Sequence, residues 1–149
     1  MAVIVVGVDG SPESKEALRW AIDEAELRRA TVRAVHAWTY PVFFGEAYVP
    51  SEAVDAESLA AEARDALDAV VAEVAGEDPR AYIEHVVAEG PAARVLVETA
   101  HDAELLVVGS RGHGGFSGLL LGSVSQQCAH HAPCAVVIVR PREEPAPTA

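Results

Sequence analysis

Five short apolar runs, rich in β-branched residues, alternate along this chain with segments of helical periodicity. The runs cover residues 3–8, 31–38, 80–87, 105–108 and 135–139, and the helical segments cover about residues 12–30, 59–75 and 92–99 and a stretch that begins at 123. Such runs are typical of strands covered on both faces, and the alternation predicts the order β-α-β-α-β-α-β-α-β. We therefore expect a single α/β domain: a doubly wound, five-stranded parallel sheet in the order 3-2-1-4-5, flanked by helices.

Local signals mark several of these boundaries. Ser11 is a good N-cap with Pro12 at the first helical position, and Gly76 ends the second helix. In the short third helix the spacing predicts that Ala92, Val95, Leu96 and Thr99 face inward. The alternating character of residues 80–87 is that of an edge strand.

The predicted strand order brings two distant places in the chain together. In parallel sheets of this kind, ligands bind beyond the carboxyl ends of the strands, at the point where the strand order reverses. With the order 3-2-1-4-5, the first and fourth strands meet at that point, and Asp9 and Gly109 come directly after them. We expect both residues to border one crevice.

The most informative stretch of the sequence follows the fourth strand. It contains glycine at 109, 112, 114, 115, 118 and 122 and enters a helical segment at Ser123. Glycines let a ligand approach the main chain closely, and a helix N-terminus directs unpaired N–H groups at an anion, so this arrangement predicts a phosphate-binding loop. Ser123 and Ser125 would add hydroxyl donors. No lysine follows Gly122, which excludes the P-loop motif, and neither the dinucleotide-binding glycine pattern nor a nucleophile elbow is present.

The spacing that remains is Gly109-x-x-Gly112, nine residues, then Gly122-Ser123. It resembles the ATP-binding signature of the universal stress protein family, and the resemblance extends over nearly the whole chain. The resemblance implies a Rossmann-like fold of the adenine-nucleotide alpha hydrolase type. It also implies a cytoplasmic, homodimeric regulator of a stress response that binds ATP, with Mg²⁺ held through the phosphates. The dimer would form through the last strand, residues 135–139, whose open apolar edge invites a second copy.

The resemblance also implies a role for particular residues. Asp9 would contact the adenosine, and the main chain of Ala37 would recognise adenine. Gly109 and Gly112 would let the nucleotide lie against the loop, and Arg111 would pair with a phosphate. The complete predicted binding set is Asp9, Ala37, Gly109, Arg111, Gly112, Gly122, Ser123, Val124 and Ser125.

Several alternatives remain open at this stage. Asp9 has a second interpretation, in which its carboxylate satisfies turn N–H groups, and Arg111 a second one as an ordinary surface arginine. No catalytic residue is predicted, and His113 is assigned no role. At most slow ATP hydrolysis is expected, because no Walker lysine or placed base is identifiable. The rival functions are a binder of cyclic AMP or AMP, a partner-binding dimer, and a slow phosphoryl or nucleotidyl transferase.

Composition limits the partners and the location. The 149 residues correspond to one domain, predicted over 1–140 and followed by a disordered tail over 141–149. A net charge of -12 with only 11 basic residues argues against nucleic acid as a partner. No apolar run is long enough to span a bilayer, and we expect a soluble, cytoplasmic protein with no membrane partner.

Two further segments have competing interpretations. Cys128 and Cys134 with His130 and His131 would be an unusual zinc set, since no second ligand cluster exists. We favour Cys128 as a small packed residue on a helix, with the histidines near the C-terminal end of that helix. Residues 39–51 form either a loop over a functional edge or a flap over the core.

Overall fold

The computed structural model describes residues 2–40, 55–77, 79–111 and 121–141. Its elements follow the predicted alternating order. The strands are β1 (Val3–Gly7), β2 (Thr31–Trp38), β3 (Ile83–Glu89), β4 (Leu105–Gly109) and β5 (Ala135–Val139), and the helices are α1 (Pro12–Arg28), α2 (Ala56–Ala75), α3 (Ala92–Thr99) and α4 (Ser123–His131). All paired strands are parallel and the sheet order is β3-β2-β1-β4-β5, so the predicted topology is confirmed.

Helix α1 begins where the sequence predicts. The Ser11 hydroxyl accepts a hydrogen bond from the Ser14 N–H at 3.2 Å, and Pro12 occupies the first turn. The helix ends at Arg28, two residues before the predicted end, because Arg29 is left-handed with a φ of 55°. The Ala30 N–H then returns to the Ala25 carbonyl at 2.9 Å, which closes the last turn.

Strand β3 lies further along the chain than predicted, at Ile83–Glu89 instead of residues 80–87. Arg80 lies before the strand, and its guanidinium pairs with Asp23 and Glu26 of α1. Pairing with β2 starts with the hydrogen bond from the Val32 N–H to the Tyr82 carbonyl at 2.9 Å. As predicted, the strand lies at an edge of the sheet.

The sheet separates two apolar clusters, one on each face. Leu18 of α1 and Leu67 of α2 are fully buried in the first cluster. Leu106 of β4 and Cys128 of α4 are fully buried in the second, which confirms the packing role predicted for Cys128. Both layers of helices therefore hold the sheet from opposite sides, as a doubly wound fold requires.

Small corrections concern helices α3 and α4. Ala92 is exposed, and its neighbour Ala93 is buried together with Val95 and Leu96. The inward face thus begins one residue later than the spacing indicated. His130 and His131 lie in the last turn of α4, as predicted.

Several predictions fall outside the described residues. They concern most of the 39–51 loop, Gly112 and His113, and the tail from residue 142 onward. Among the helices of the described ranges, none is both long and apolar enough to cross a bilayer.

Candidate functional site

A crevice lies where β1 and β4 end, at the point where the strand order reverses. It contains about 780 Å³ of empty space, a figure that includes open solvent at its mouth. Each predicted binding residue that the structure describes lines this crevice. These residues are Asp9, Ala37, Gly109, Arg111, Gly122, Ser123, Val124 and Ser125.

Asp9 is held in the turn between β1 and α1. Its Oδ1 accepts a hydrogen bond from the Ser11 N–H at 2.8 Å, and Gly10 between them has a φ of 84°. The interpretation of Asp9 as a residue that satisfies a turn N–H group is therefore confirmed. The residue is also exposed and lines the crevice, so the turn role and a ligand role are compatible.

Two crevice residues that the predicted set omits, His36 and Ser14, hold the peptide group that joins Val8 to Asp9. The Nδ1 atom of His36 lies 2.7 Å from the Val8 carbonyl oxygen, and the Asp9 N–H donates to the Ser14 hydroxyl at 3.3 Å. A carbonyl only accepts, so His36 carries a proton on Nδ1. The Ser14 hydroxyl in turn donates to the Ser11 carbonyl at 3.0 Å.

The N-terminus of α4 forms the opposite wall. Gly122 is its N-cap, has an extended backbone and makes no side-chain capping bond. The first helical hydrogen bond runs from the Gln126 N–H to the Gly122 carbonyl, so the N–H groups of Ser123, Val124 and Ser125 precede the helical ladder. They supply donors and a positive dipole end to the crevice.

The Ser125 hydroxyl has a structural role. It is buried, and it lies within donating distance of the carbonyls of Ser110 at 3.1 Å and Gly122 at 3.0 Å. The side chain of Ser125 therefore joins the two ends of the loop, while Ser123 at the helix start is exposed and lines the crevice.

Ser110 joins three elements at the floor of the crevice. Its N–H donates to the Val139 carbonyl at 2.9 Å, and its carbonyl accepts from the Gly122 N–H at 2.7 Å. The end of β4, the end of β5 and the start of α4 are thereby held together. This junction positions α4 against the sheet.

Glycine at 109 has a packing reason that the sequence did not reveal. A Cβ at this position would lie 2.9 Å from the Glu13 Cβ and 3.0 Å from the Glu13 carbonyl carbon and oxygen. The absence of a side chain lets the first turn of α1 approach β4 closely. That approach brings Ser14 and Asp9 to the crevice.

The charges of the site are few. Asp9 and Arg111 are the charged side chains among the described residues that line the crevice. In the described ranges no group of three or more His, Cys, Asp or Glu side chains is arranged to hold a metal ion. Cys128, below the crevice in the second cluster, is fully buried, and burial raises the pKa of its thiol to about 11.

Comparison with known proteins gives consistent results. The sequence model of the universal stress protein family matches residues 1–140. The chain is 37% identical over 139 residues to the universal stress protein Rv2623 of Mycobacterium tuberculosis, which covers 93% of this chain and 45% of that protein. It thus spans about half the length of the curated relatives it matches.

Solved structures agree with this result. The chain is similar to the universal stress protein UspA from Lactobacillus plantarum, with a TM-score of 0.75 and 23% identity over 93% of this chain and 97% of that one. It is also similar to a universal stress protein in complex with cAMP, with a TM-score of 0.58 and 30% identity over 93% and 96% of the two chains. The first likeness concerns the fold alone.

Proposed function

The chain belongs to the universal stress protein family, and from this we infer that it is an ATP-binding member that acts as a homodimeric regulator in a stress response. One observation carries the inference. Residues from β1, β2, β4 and the start of α4, far apart in sequence, line a single crevice. Their chemistry suits an adenosine at one end and phosphates at the other.

The adenosine end combines apolar walls with polar groups. Val35, Leu96 and Val108 line the crevice and suit the faces of a base. The Asp9 carboxylate would accept from ribose hydroxyls or from the adenine amino group, which are donors.

The main chain of Ala37 is suited to recognising adenine. The Val35 carbonyl accepts from the Val8 N–H at 2.8 Å, toward β1. Backbone groups alternate sides along a strand, so those of Ala37 point in the same direction, where β1 has already ended. The edge of an adenine base would bond to the Ala37 backbone groups that β1 is too short to reach.

The phosphate end is formed by α4 and Arg111. The N–H groups of Ser123, Val124 and Ser125 would donate to phosphate oxygens, and the Arg111 guanidinium would pair with one of them. Mg²⁺ would accompany ATP through phosphate oxygens with few protein ligands. We expect at most slow hydrolysis, because no lysine is present among the described lining residues.

The proposed dimer would form through β5. Ala135–Val139 pairs with β4 along one side and lies at an edge of the sheet. A second copy would pair with the other side and cover an apolar strand. Sedimentation over a range of protein concentrations tests this, and a monomer at every concentration would refute it.

Calorimetric titration of nucleotide-free protein with ATP and Mg²⁺ tests nucleotide binding. We expect saturable binding at one site per chain. Arg111→Ala should weaken it by about tenfold, the effect of one charged hydrogen bond. Arg94→Ala is the matched control, because Arg94 is an exposed arginine of α3 that does not line the crevice. Equal effects of the two changes would refute the phosphate role of Arg111.

The same titration includes cyclic AMP and AMP as competitors. The similar protein in complex with cAMP makes this the second candidate ligand. Gly122→Val, which adds a side chain at the N-cap beside the crevice, should abolish ATP binding. Binding of cyclic AMP with no binding of ATP would replace the proposed ligand, and binding of no adenine nucleotide would leave a partner-binding dimer as the better account.

A further inference from the structure

We propose that His36 and Ser14 are positioning residues that hold the peptide group between Val8 and Asp9 and so direct the Asp9 carboxylate into the crevice. The observation is that both polar groups of this one peptide are bonded to side chains. His36 Nδ1 donates to the Val8 carbonyl at 2.7 Å, and the Asp9 N–H donates to the Ser14 hydroxyl at 3.3 Å. The part of its test that measures ATP binding rests on the proposed function.

This peptide lies where the sheet no longer controls the backbone. β1 ends at Gly7, and the last sheet-like bond on this segment is that from the Val8 N–H to the Val35 carbonyl. Gly10, with a φ of 84°, follows directly after Asp9 and has the conformational freedom of glycine. Rotation of the Val8–Asp9 peptide would swing the carboxylate, and the two side-chain bonds oppose that rotation.

The two bonds come from different elements. His36 lies in β2, and Ser14 lies in the first turn of α1, with its hydroxyl bonded in turn to the Ser11 carbonyl at 3.0 Å. The Asp9 carboxylate is therefore set by the sheet on one side and by the helix on the other.

The choice of substitution separates positioning from general destabilisation. Asparagine carries an N–H donor at the same distance along the side chain as Nδ1, so His36→Asn should preserve the bond to Val8. Glutamine carries its donor one atom further, so His36→Gln should lose it. His85→Gln is the matched control, because Nδ1 of His85 is also hydrogen-bonded, to Asp68 at 2.6 Å, on a strand position away from the crevice.

The first measurement uses the protein without nucleotide. Amide exchange of the Ser11 N–H, which donates to the Asp9 carboxylate at 2.8 Å, reports how well Asp9 is held. We expect exchange to be about fivefold to tenfold faster in His36→Gln and Ser14→Ala, the effect of one hydrogen bond, and unchanged in His36→Asn and His85→Gln. Equal rates in the asparagine and glutamine variants would refute the positioning role.

The second measurement is a double-mutant cycle on ATP binding. Asp9→Ala should weaken binding by about tenfold or more, and His36→Gln by about fivefold. If His36 acts through Asp9, the double variant should bind within about twofold of Asp9→Ala alone. Losses that multiply would overturn the proposal.

The two measurements separate failure of this proposal from failure of the proposed function. Wild-type protein that binds no adenine nucleotide would refute the proposed function, and the exchange rates would still decide whether His36 and Ser14 hold Asp9. Normal ATP binding with an unchanged Ser11 exchange rate in His36→Gln would refute the positioning role and leave the proposed function intact.

Discussion

Gly109→Ala should destabilise the protein although the backbone at this position suits any residue. The new Cβ would lie 2.9 Å from the Glu13 Cβ and 3.0 Å from two backbone atoms of Glu13, which move only if α1 moves. Overpacking of this kind costs about 1–3 kcal/mol, and the lower entropy of the unfolded alanine chain offsets about 0.4–1 kcal/mol. We expect a net loss of about 1–2 kcal/mol.

Urea denaturation measures this loss as a lower midpoint with an unchanged slope, and the matching fall in Tm is about 2–8 °C for a domain of this size. Two other glycines serve as controls. A Cβ on Gly7 would meet the flexible end of Leu96 at 2.9 Å, so Gly7→Ala should cost less. Gly76 has open space around it, but its φ of 73° and ψ of -166° lie in a region that is almost restricted to glycine, so Gly76→Ala should cost about 1–3 kcal/mol from backbone strain alone. Wild-type stability of Gly109→Ala, or a larger loss in Gly7→Ala, would refute the close-approach argument.

Two further predictions concern titrating groups. The Arg33 guanidinium beside Asp102 holds the pKa of that carboxyl below its usual value of 3.8. The pair therefore stabilises the fold at pH values above 3.8, and this contribution is lost as the pH falls through the lowered pKa. Urea midpoints at about pH 6 and about pH 3 should therefore differ less in Arg33→Met than in the wild type, and identical differences would contradict the pairing. The Cys128 thiol is fully buried, and burial raises its pKa to about 11, so in a Cys134→Ser variant it should not react with a thiol reagent at about pH 8 until the protein unfolds. Rapid reaction in that native variant would show that α4 does not pack its Cys128 face against the sheet.

The sequence predicted the sheet order and most element boundaries, because the strands are short β-branched runs and the helices carry local signals. Ser11 and Pro12 mark the start of α1 by interactions within a single turn. The start of β3 could not be predicted in this way. It is set by the register with β2, whose pairing begins at the hydrogen bond from the Val32 N–H to the Tyr82 carbonyl, a contact between residues distant in sequence.

Residues of the candidate site could be predicted where a pattern within one segment of sequence identifies them. They could not be predicted where their role arises from contact between two elements. The glycine spacing and the helix start identified Gly122 and Ser123. The roles of His36 and Ser14 depend on how β2 and α1 are placed beside the end of β1, and no local pattern records that placement. Gly109 was identified as a crevice residue, but its packing against Glu13 became visible only with α1 in place.

The central position of β1 has a consequence for synthesis on the ribosome. Ile4 of β1 pairs with Val32 of β2 early in the chain, but its other neighbour, Leu105 of β4, follows about a hundred positions later. During translation β1, β2 and β3 can assemble once residue 89 has emerged, while the side of β1 that will face β4 is still unpaired. That open, wholly apolar strand is the segment at which a nascent chain would associate with other chains, and the emergence of β4 ends the exposure.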